Sequence, residues 1–88
     1  MTITAQVLEA EPIYTGLTYV GKKWHKATLI VKTVDNFPRT VAINNFDDPF
    51  KFSNLTVGSI YKFEVNIESR KHSGKWYTDV VCWHWKPA

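Results

Sequence analysis

Apolar and polar residues alternate along nearly the whole chain, and this rhythm limits the possible folds more than any other sequence feature. Residues 61–68 are the clearest case, because every odd position is apolar and every even position is polar. Successive side chains of a β-strand point to opposite faces, so the pattern indicates strands with one buried face. No stretch of a dozen residues carries a comparable helical repeat. The chain is therefore predicted to be all-β.

The alternation predicts five strands. They cover residues 3–14 with a bend after Pro12, and then 24–32, 39–44, 59–68 and 75–86. Residues 15–23 are predicted to be a loop because of Gly16 and Gly21, and His72-Ser73-Gly74 is predicted to close a hairpin. The apolar side of these strands predicts the buried residues, which are Val7, Leu29, Val31, Val41, Ile43, Phe63, Val65 and Val80.

The segment between the third and fourth strands differs from the rest. Asp47-Asp48-Pro49 resembles a helix start with an Asp cap and Pro in the first turn, so a short helix or turn is expected there. Five strands with one helical interruption at this point match the order of an OB-fold, a five-stranded Greek-key barrel. An SH3-like barrel is the alternative.

Length, charge and cysteine content limit the classes of function. The 88 residues leave room for one domain, taken as 1–88, and the formal charge of +3 favours phosphate-bearing or acidic partners. Cys82 is the only cysteine, so no intrachain disulfide forms and a reducing compartment is favoured. The sequence contains neither a signal-peptide pattern nor a membrane-spanning run, which predicts a cytoplasmic protein without a membrane partner.

One face of the second strand mixes aromatic and basic side chains, and a buried core does not require those lysines. Proteins hold single-stranded nucleic acid with a cationic groove and with aromatic rings that stack on bases. The predicted nucleic-acid-binding residues are Tyr19, Lys22, Lys23, Trp24, Lys26, Lys32, Arg39, Lys71 and Lys75. Two alternatives stay open, since Trp24 could instead close the barrel end and Arg70 could form a structural ion pair with Asp79.

The last strand carries a second aromatic group. Val81, Trp83 and Trp85 are predicted to share a face and to form an oligomer interface, and closure of the barrel core is the alternative. No nucleophile, acid–base pair or phosphate loop is recognisable, and Cys82 with His84 cannot complete a zinc site. We therefore expect no enzymatic activity, no metal, no cofactor and no small-molecule substrate.

Several short motifs point to a family. They are Gly21-Lys22-Lys23-Trp24-His25-Lys26, Phe37-Pro38-Arg39, Val57-Gly58, Glu68-Ser69-Arg70 and Gly74-Lys75-Trp76-Tyr77-Thr78-Asp79-Val80. Through them the chain from Gly21 to Trp83 resembles a small bacterial and phage family of single-stranded-DNA-binding-like OB domains, otherwise described as a domain of unknown function. The resemblance implies an OB-fold, assembly into dimers or larger species, and a binding role near DNA replication or repair.

Two functions follow from these observations. The first is a non-catalytic, oligomeric single-stranded DNA-binding module acting in replication, recombination or repair, with RNA as a further possible ligand. The second is a protein-interaction or assembly OB domain that binds no nucleic acid. The mixed aromatic and basic face of the second strand favours the first, because assembly alone does not need it.

Overall fold

The structure is a computed structural model that describes all residues from Met1 to Ala88, and it contains six strands and one short helix. In chain order these are β1 (Thr2–Ala10), β2 (Tyr14–Leu17), β3 (Lys23–Thr33), β4 (Thr40–Asn45), α1 (Pro49–Ser53), β5 (Ile60–His72) and β6 (Lys75–Pro87). The all-β prediction is confirmed. The five predicted strands correspond to β1, β3, β4, β5 and β6, but the first ends at Ala10 and not near Tyr14, which belongs to β2.

The sheet closes on itself because β1 pairs on both sides. The strand order is β1-β5-β6-β4-β3-β2, and an additional antiparallel pairing joins β1 to β3. Ala5 lies opposite Thr33 of β3 and also opposite Tyr61 of β5. The one parallel contact, between β4 and β6, places Ile43 opposite Val80. Five strands thus form the closed barrel predicted from the sequence, and β2 extends it at the edge of β3.

Strand β2 corrects the prediction that residues 15–23 form only a loop. Tyr14 lies opposite Lys26 and Gly16 opposite Trp24, so β2 and β3 form a hairpin. A glycine weakens strand propensity, and the short segment offers no clear alternation to reveal the strand. As a result α1 lies between the fourth and fifth strands of the chain, although it occupies the segment in which a helix was predicted.

The barrel interior agrees closely with the predicted core. Six of the eight predicted residues are fully buried, namely Val7, Leu29, Val31, Ile43, Phe63 and Val65, while Val41 and Val80 are partly buried and pack against them. Phe52 from α1 completes the interior, because it is fully buried with its ring centroid 6.1 Å from that of Phe63. The helix therefore packs against the barrel core and covers part of it through Phe52.

A side-chain network, rather than a helix cap, holds α1 in place. The Asp48 side chain makes no capping hydrogen bond, which corrects the expected cap. Asn45 instead accepts the Asp48 backbone N–H at 2.9 Å and donates to the Cys82 carbonyl oxygen at 2.9 Å. These two bonds tie the helix start to β6. The helix has five residues, and no helix in the structure is long and apolar enough to cross a membrane.

A β-bulge changes the direction of the side chains near the end of β6. Glu64 lies opposite His84 and the next residue, Val65, opposite Cys82, so Trp83 is the extra residue. Cys82 is buried, which places Val81 on the outer face, whereas Trp85 lies opposite the buried Phe63. The expectation that Val81, Trp83 and Trp85 share one face is therefore wrong. The bulge shifts the alternation by one residue.

Candidate nucleic-acid interface

Two hairpins border the outer face of β3 and β4. The β2–β3 hairpin lies on one side, and the outer part of the β5–β6 hairpin lies on the other. We call residues 67–80 of β5 and β6 the arm, because they pair with each other well past the last β1 contact at Glu64. A cleft of about 280 Å³ between the two hairpins is lined by Trp24, Lys26, Phe46, Arg70 and Asp79.

Trp24 forms the aromatic wall of the cleft. Its ring centroid lies 5.4 Å from that of Tyr14 and 6.4 Å from that of Phe46. The indole also covers Gly16 so closely that a Cβ atom added there would lie 2.8 Å from the indole Nε1. Trp24 is partly buried by these contacts but is not a member of the barrel core. The ring is thus held at the cleft rather than placed as a lid on the core.

Four of the predicted ligand-binding residues belong to the β2–β3 hairpin that carries this wall. Lys26 lies on the same face as Trp24, and its Nζ is 5.6 Å from the centroid of the Tyr14 ring. Lys22 and Tyr19 lie in the turn that joins β2 to β3, where the Lys22 backbone N–H donates to Thr18 Oγ1. Lys23 begins β3 directly before Trp24 and therefore lies on the opposite face of the strand. Tyr19, Lys22 and Lys23 are all exposed. This hairpin therefore presents cations beside an aromatic surface.

A chain of polar contacts crosses the floor of the cleft. Thr28 Oγ1 donates to Asn44 Oδ1 at 2.7 Å, and Asn44 Nδ2 lies 3.4 Å from Asp79 Oδ1. Arg70 Nη2 lies 3.4 Å from Asp79 Oδ2, so the ion pair suggested by the sequence is present. Asn44 is only 8% exposed, and its two contacts connect Thr28 of β3 with Asp79 of β6.

The arm divides its two predicted cations between opposite faces. Lys75 lies opposite His72 and Lys71 opposite Trp76, and directly opposed residues share a face. Counting along the arm, Lys75 is on the face of Arg70 and Asp79, which borders the cleft. Lys71 is on the other face. Only Lys75 is therefore positioned beside the same surface as Trp24.

Lys32 and Arg39 are not brought to the cleft. Lys32 lies opposite Thr40 at the far end of the β3–β4 pair, and the Arg39 backbone N–H donates to Thr33 Oγ1. Lys26 and Lys32 are separated by roughly 20 Å, given about 3.3 Å per strand residue. Lys32 is thus a separate cation on the outer face of β3, and Arg39 lies in the turn that precedes β4.

The structure also adds residues that the sequence prediction missed. Phe46 lines the cleft just past β4, and Tyr14, Arg70 and Asp79 belong to the same surface. Continuing the alternation of β4 beyond Asn44 would have placed Phe46 on the outer face. The link between Asp79 and Asn44 depends on the parallel pairing of distant strands, which the sequence pattern does not contain.

Comparison with solved structures identifies the class of fold. The second OB-fold domain of replication protein A from Methanococcus maripaludis aligns with a TM-score of 0.68 at 19% identity, covering 98% of this chain and 80% of that one. The N-terminal domain of PriB from Thermoanaerobacter tencongensis, described as dimeric, gives 0.59 at 20% identity, covering 100% and 93%. A small single-stranded DNA-binding protein from Streptomyces coelicolor gives 0.53 at 11%, covering 100% and 92%. The chain is an OB-fold protein.

Within that class the family is defined by sequence. Residues 2–86 match the family described as Domain of unknown function (DUF3127), and the chain belongs to it. The resemblance predicted from the short motifs is thereby confirmed. No curated protein matches the chain at a significant level.

Proposed function

We propose that this protein is a non-catalytic module that binds single-stranded DNA in the cleft between the β2–β3 hairpin and the arm. The observation that carries the proposal is the cleft itself, where the rings of Trp24 and Phe46 lie beside Lys26 and Arg70. Aromatic faces for bases and cations for phosphates are the two components of single-strand binding. OB-folds commonly bind oligonucleotides on this face and between these two loops.

The rims of the cleft supply the phosphate contacts in this proposal. Lys22 and Lys26 lie on the β2–β3 side, and Lys75 lies on the arm side. A strand between them would place its backbone along the cations and its bases toward Trp24. Lys32 and Arg39 would extend the track along β3 and β4, and Tyr19 would add a ring at the hairpin tip. Lys23 and Lys71, each on the far face of its hairpin, are the predicted contacts that this geometry supports least.

The comparisons support the proposal by analogy. Replication protein A and the small single-stranded DNA-binding protein share the fold, and the name of the latter states its ligand. Fold alone does not determine ligand, so the cleft residues carry the argument. A role in DNA replication, recombination or repair is the process that these likenesses suggest.

Fluorescence anisotropy with labelled oligothymidine, mixed-sequence DNA, RNA and duplex DNA at several salt concentrations tests the proposal. Trp24→Ala should weaken single-strand binding by about 1–3 kcal/mol, because one stacked base loses its partner, and the salt slope should stay constant. Phe37→Ala is the matched control, since Phe37 is 78% exposed but lies in the turn between β3 and β4, away from the cleft.

The charge contribution has its own signature. Changing Lys22 and Lys26 together to Ala should reduce the slope of log affinity against log salt by about 0.7 for each phosphate that the protein no longer neutralises. Lys51 and Lys62, on α1 and β5, form a control pair that removes the same charge elsewhere. If parent protein binds no single strand at low salt, or if cleft and control variants behave alike, the proposal is wrong.

An assembly module is the second candidate, because the protein exposes apolar side chains outside the cleft. Ile67 and Trp76 of the arm are 57% and 69% exposed, and Trp83 at the bulge is 55% exposed. Exposed aromatic residues of this size often mark contacts between chains. Self-association of this protein is compatible with single-strand binding, since Trp83 does not line the cleft.

A further inference from the structure

The cleft contains a carboxylate at the place where a phosphate-binding site would carry only cations. Asp79 lies on the floor with a side-chain exposure of 26%, so a ligand can reach it. Like charges repel at short range, and the carboxylate therefore disfavours a phosphate at this point. A strand in the cleft would keep its backbone on the cationic rims and turn a base toward Asp79.

The Asp79 carboxylate can accept further hydrogen bonds. Its two neighbours in the protein, Asn44 Nδ2 and Arg70 Nη2, each lie 3.4 Å away. Good N–H···O hydrogen bonds are about 2.7–3.2 Å long, so both contacts are weak. An ionised carboxylate accepts several hydrogen bonds and donates none. Both oxygens can therefore take closer donors from a ligand.

We infer, on the basis of the proposed function, that Asp79 makes the cleft selective for guanine at one base position. Guanine carries two adjacent donors, N1–H and the N2 amino group, which match the two oxygens of one carboxylate. Its O6 acceptor lies beside them and suits a donor such as the Arg70 guanidinium. Cytosine and adenine offer the carboxylate a single amino group, and thymine offers one N–H between two carbonyl oxygens, which a carboxylate repels.

The cleft and its aromatic wall fit a single base. Its volume of about 280 Å³ lies below the roughly 300–1,000 Å³ of sites for drug-sized ligands. Trp24 and Phe46 line the same cleft as Asp79, so stacking on a ring and recognition of the base edge would act on the same base. Stacking tolerates any base, whereas hydrogen bonds to the edge discriminate between bases.

The test uses anisotropy with oligothymidine that carries one central G, A, C, T or inosine. Parent protein should bind the G oligomer about tenfold more tightly than the T oligomer, the size expected for one bidentate base contact. Inosine lacks the N2 amino group and should fall between them. A 7-deazaguanine oligomer should bind like guanine, because the recognised edge is unchanged.

Asp79→Asn should abolish the preference for guanine while binding to the T oligomer persists. Asp35→Asn is the matched control, because it makes the same chemical change at an exposed carboxylate in the turn between β3 and β4, away from the cleft. It should keep the full preference. A melting curve for each variant confirms that it is folded.

The outcomes separate the two proposals. Equal affinity for all five oligomers, or loss of preference with 7-deazaguanine, would overturn guanine recognition by Asp79 and leave single-strand binding standing. Preference retained in Asp79→Asn would do the same. Absence of binding to every oligomer would overturn the proposed function itself.

Discussion

Gly16 is a position at which the structure leaves no room for a side chain. The indole of Trp24 occupies the position that a Cβ atom at residue 16 would need. Gly16→Ala should therefore displace the indole and destabilise the protein by about 1–3 kcal/mol, as overpacking does. It should also weaken single-strand binding. Urea unfolding followed by tryptophan fluorescence measures the first effect, and anisotropy measures the second.

The control for this prediction is the same change in a Trp24→Ala background. Without the indole the three atoms nearest to a Cβ at position 16 are removed, and replacing a strand glycine is then expected to stabilise by about 0.5–1 kcal/mol. The effect of the added methyl group should thus change sign between the two backgrounds. An equal loss of stability in both would show that the backbone, and not Trp24, requires glycine.

Burial alters the acidity of the Cys82 thiol. Burial, helped by the negative charge of Glu64, raises the pKa of its thiol from 9.0 to about 11. Because the folded-state pKa is the higher one, the thiol's contribution to stability is complete below pH 9.0 and is lost as the pH rises toward 11. Alkylation by iodoacetamide near pH 8.5 should be slow in folded protein and fast in urea. Equal rates would contradict a buried thiol.

Trp24 and Lys26 could be selected from the sequence because their strand shows which face each occupies. Asp79 could be paired with Arg70 across its hairpin, but it could not be assigned to the cleft, since its other neighbour, Asn44, comes from a strand distant in the sequence. The alternation within one β-strand gives the face on which a residue lies, but not its neighbours on strands that are distant in the sequence. This is why part of the predicted site was found and the cleft floor was missed.

The stability of the arm depends on the two-residue turn that joins β5 to β6. Ser73 and Gly74 both have positive φ, 51° and 79°, which is typical of the type I′ turns that suit two-residue hairpins. Serine is unfavourable there, whereas asparagine tolerates this conformation.

Ser73→Asn should therefore stabilise the arm by a few tenths of a kcal/mol, and Ser73→Val should destabilise it by about 1–2 kcal/mol. Hydrogen exchange of arm amides is the measurement, because the arm can open while the barrel stays closed. Barrel amides such as that of Leu29 serve as the internal reference. Slower exchange in Ser73→Val than in parent protein would contradict the turn assignment.

At the level of elements, the sequence predicted the strands well and their irregularities poorly. Strands β1 and β3 to β6 follow directly from alternation. The bulge at Trp83 does not, because the extra residue is visible only when β6 is paired with β5. Because of this one shifted residue, the sequence prediction placed Trp85 on the wrong face. In the structure its ring centroid lies 5.2 Å from that of the buried Phe52.

The oligomeric state is a property of the whole molecule. We expect an assembly larger than the 10.2 kDa monomer, because the core is small and large apolar side chains stay exposed. Trp83→Lys should shift the mass toward the monomer, while Phe37→Lys, which changes another exposed aromatic residue, should leave it constant. Light scattering at high micromolar concentration measures both. A monomer mass for parent protein would contradict the expectation.

Closure of the barrel by β1 also has a consequence for the order of folding. Thr2 and Glu64 hydrogen-bond across a sequence separation of 62 residues, whereas β5 and β6 are joined by a tight turn. Bringing distant segments together costs chain entropy, so the local hairpins should form before β1 closes the barrel. Val7 on β1 and Val65 on β5 are both fully buried and suit the comparison.

Val7→Ala should then mainly accelerate unfolding, whereas Val65→Ala should mainly slow refolding, in stopped-flow tryptophan fluorescence. If so, the pairing of β1 with β3 and β5 determines how long the native state persists before it unfolds. Substitutions that strengthen the contacts of β1 with β3 and β5 would slow unfolding without making the protein fold faster.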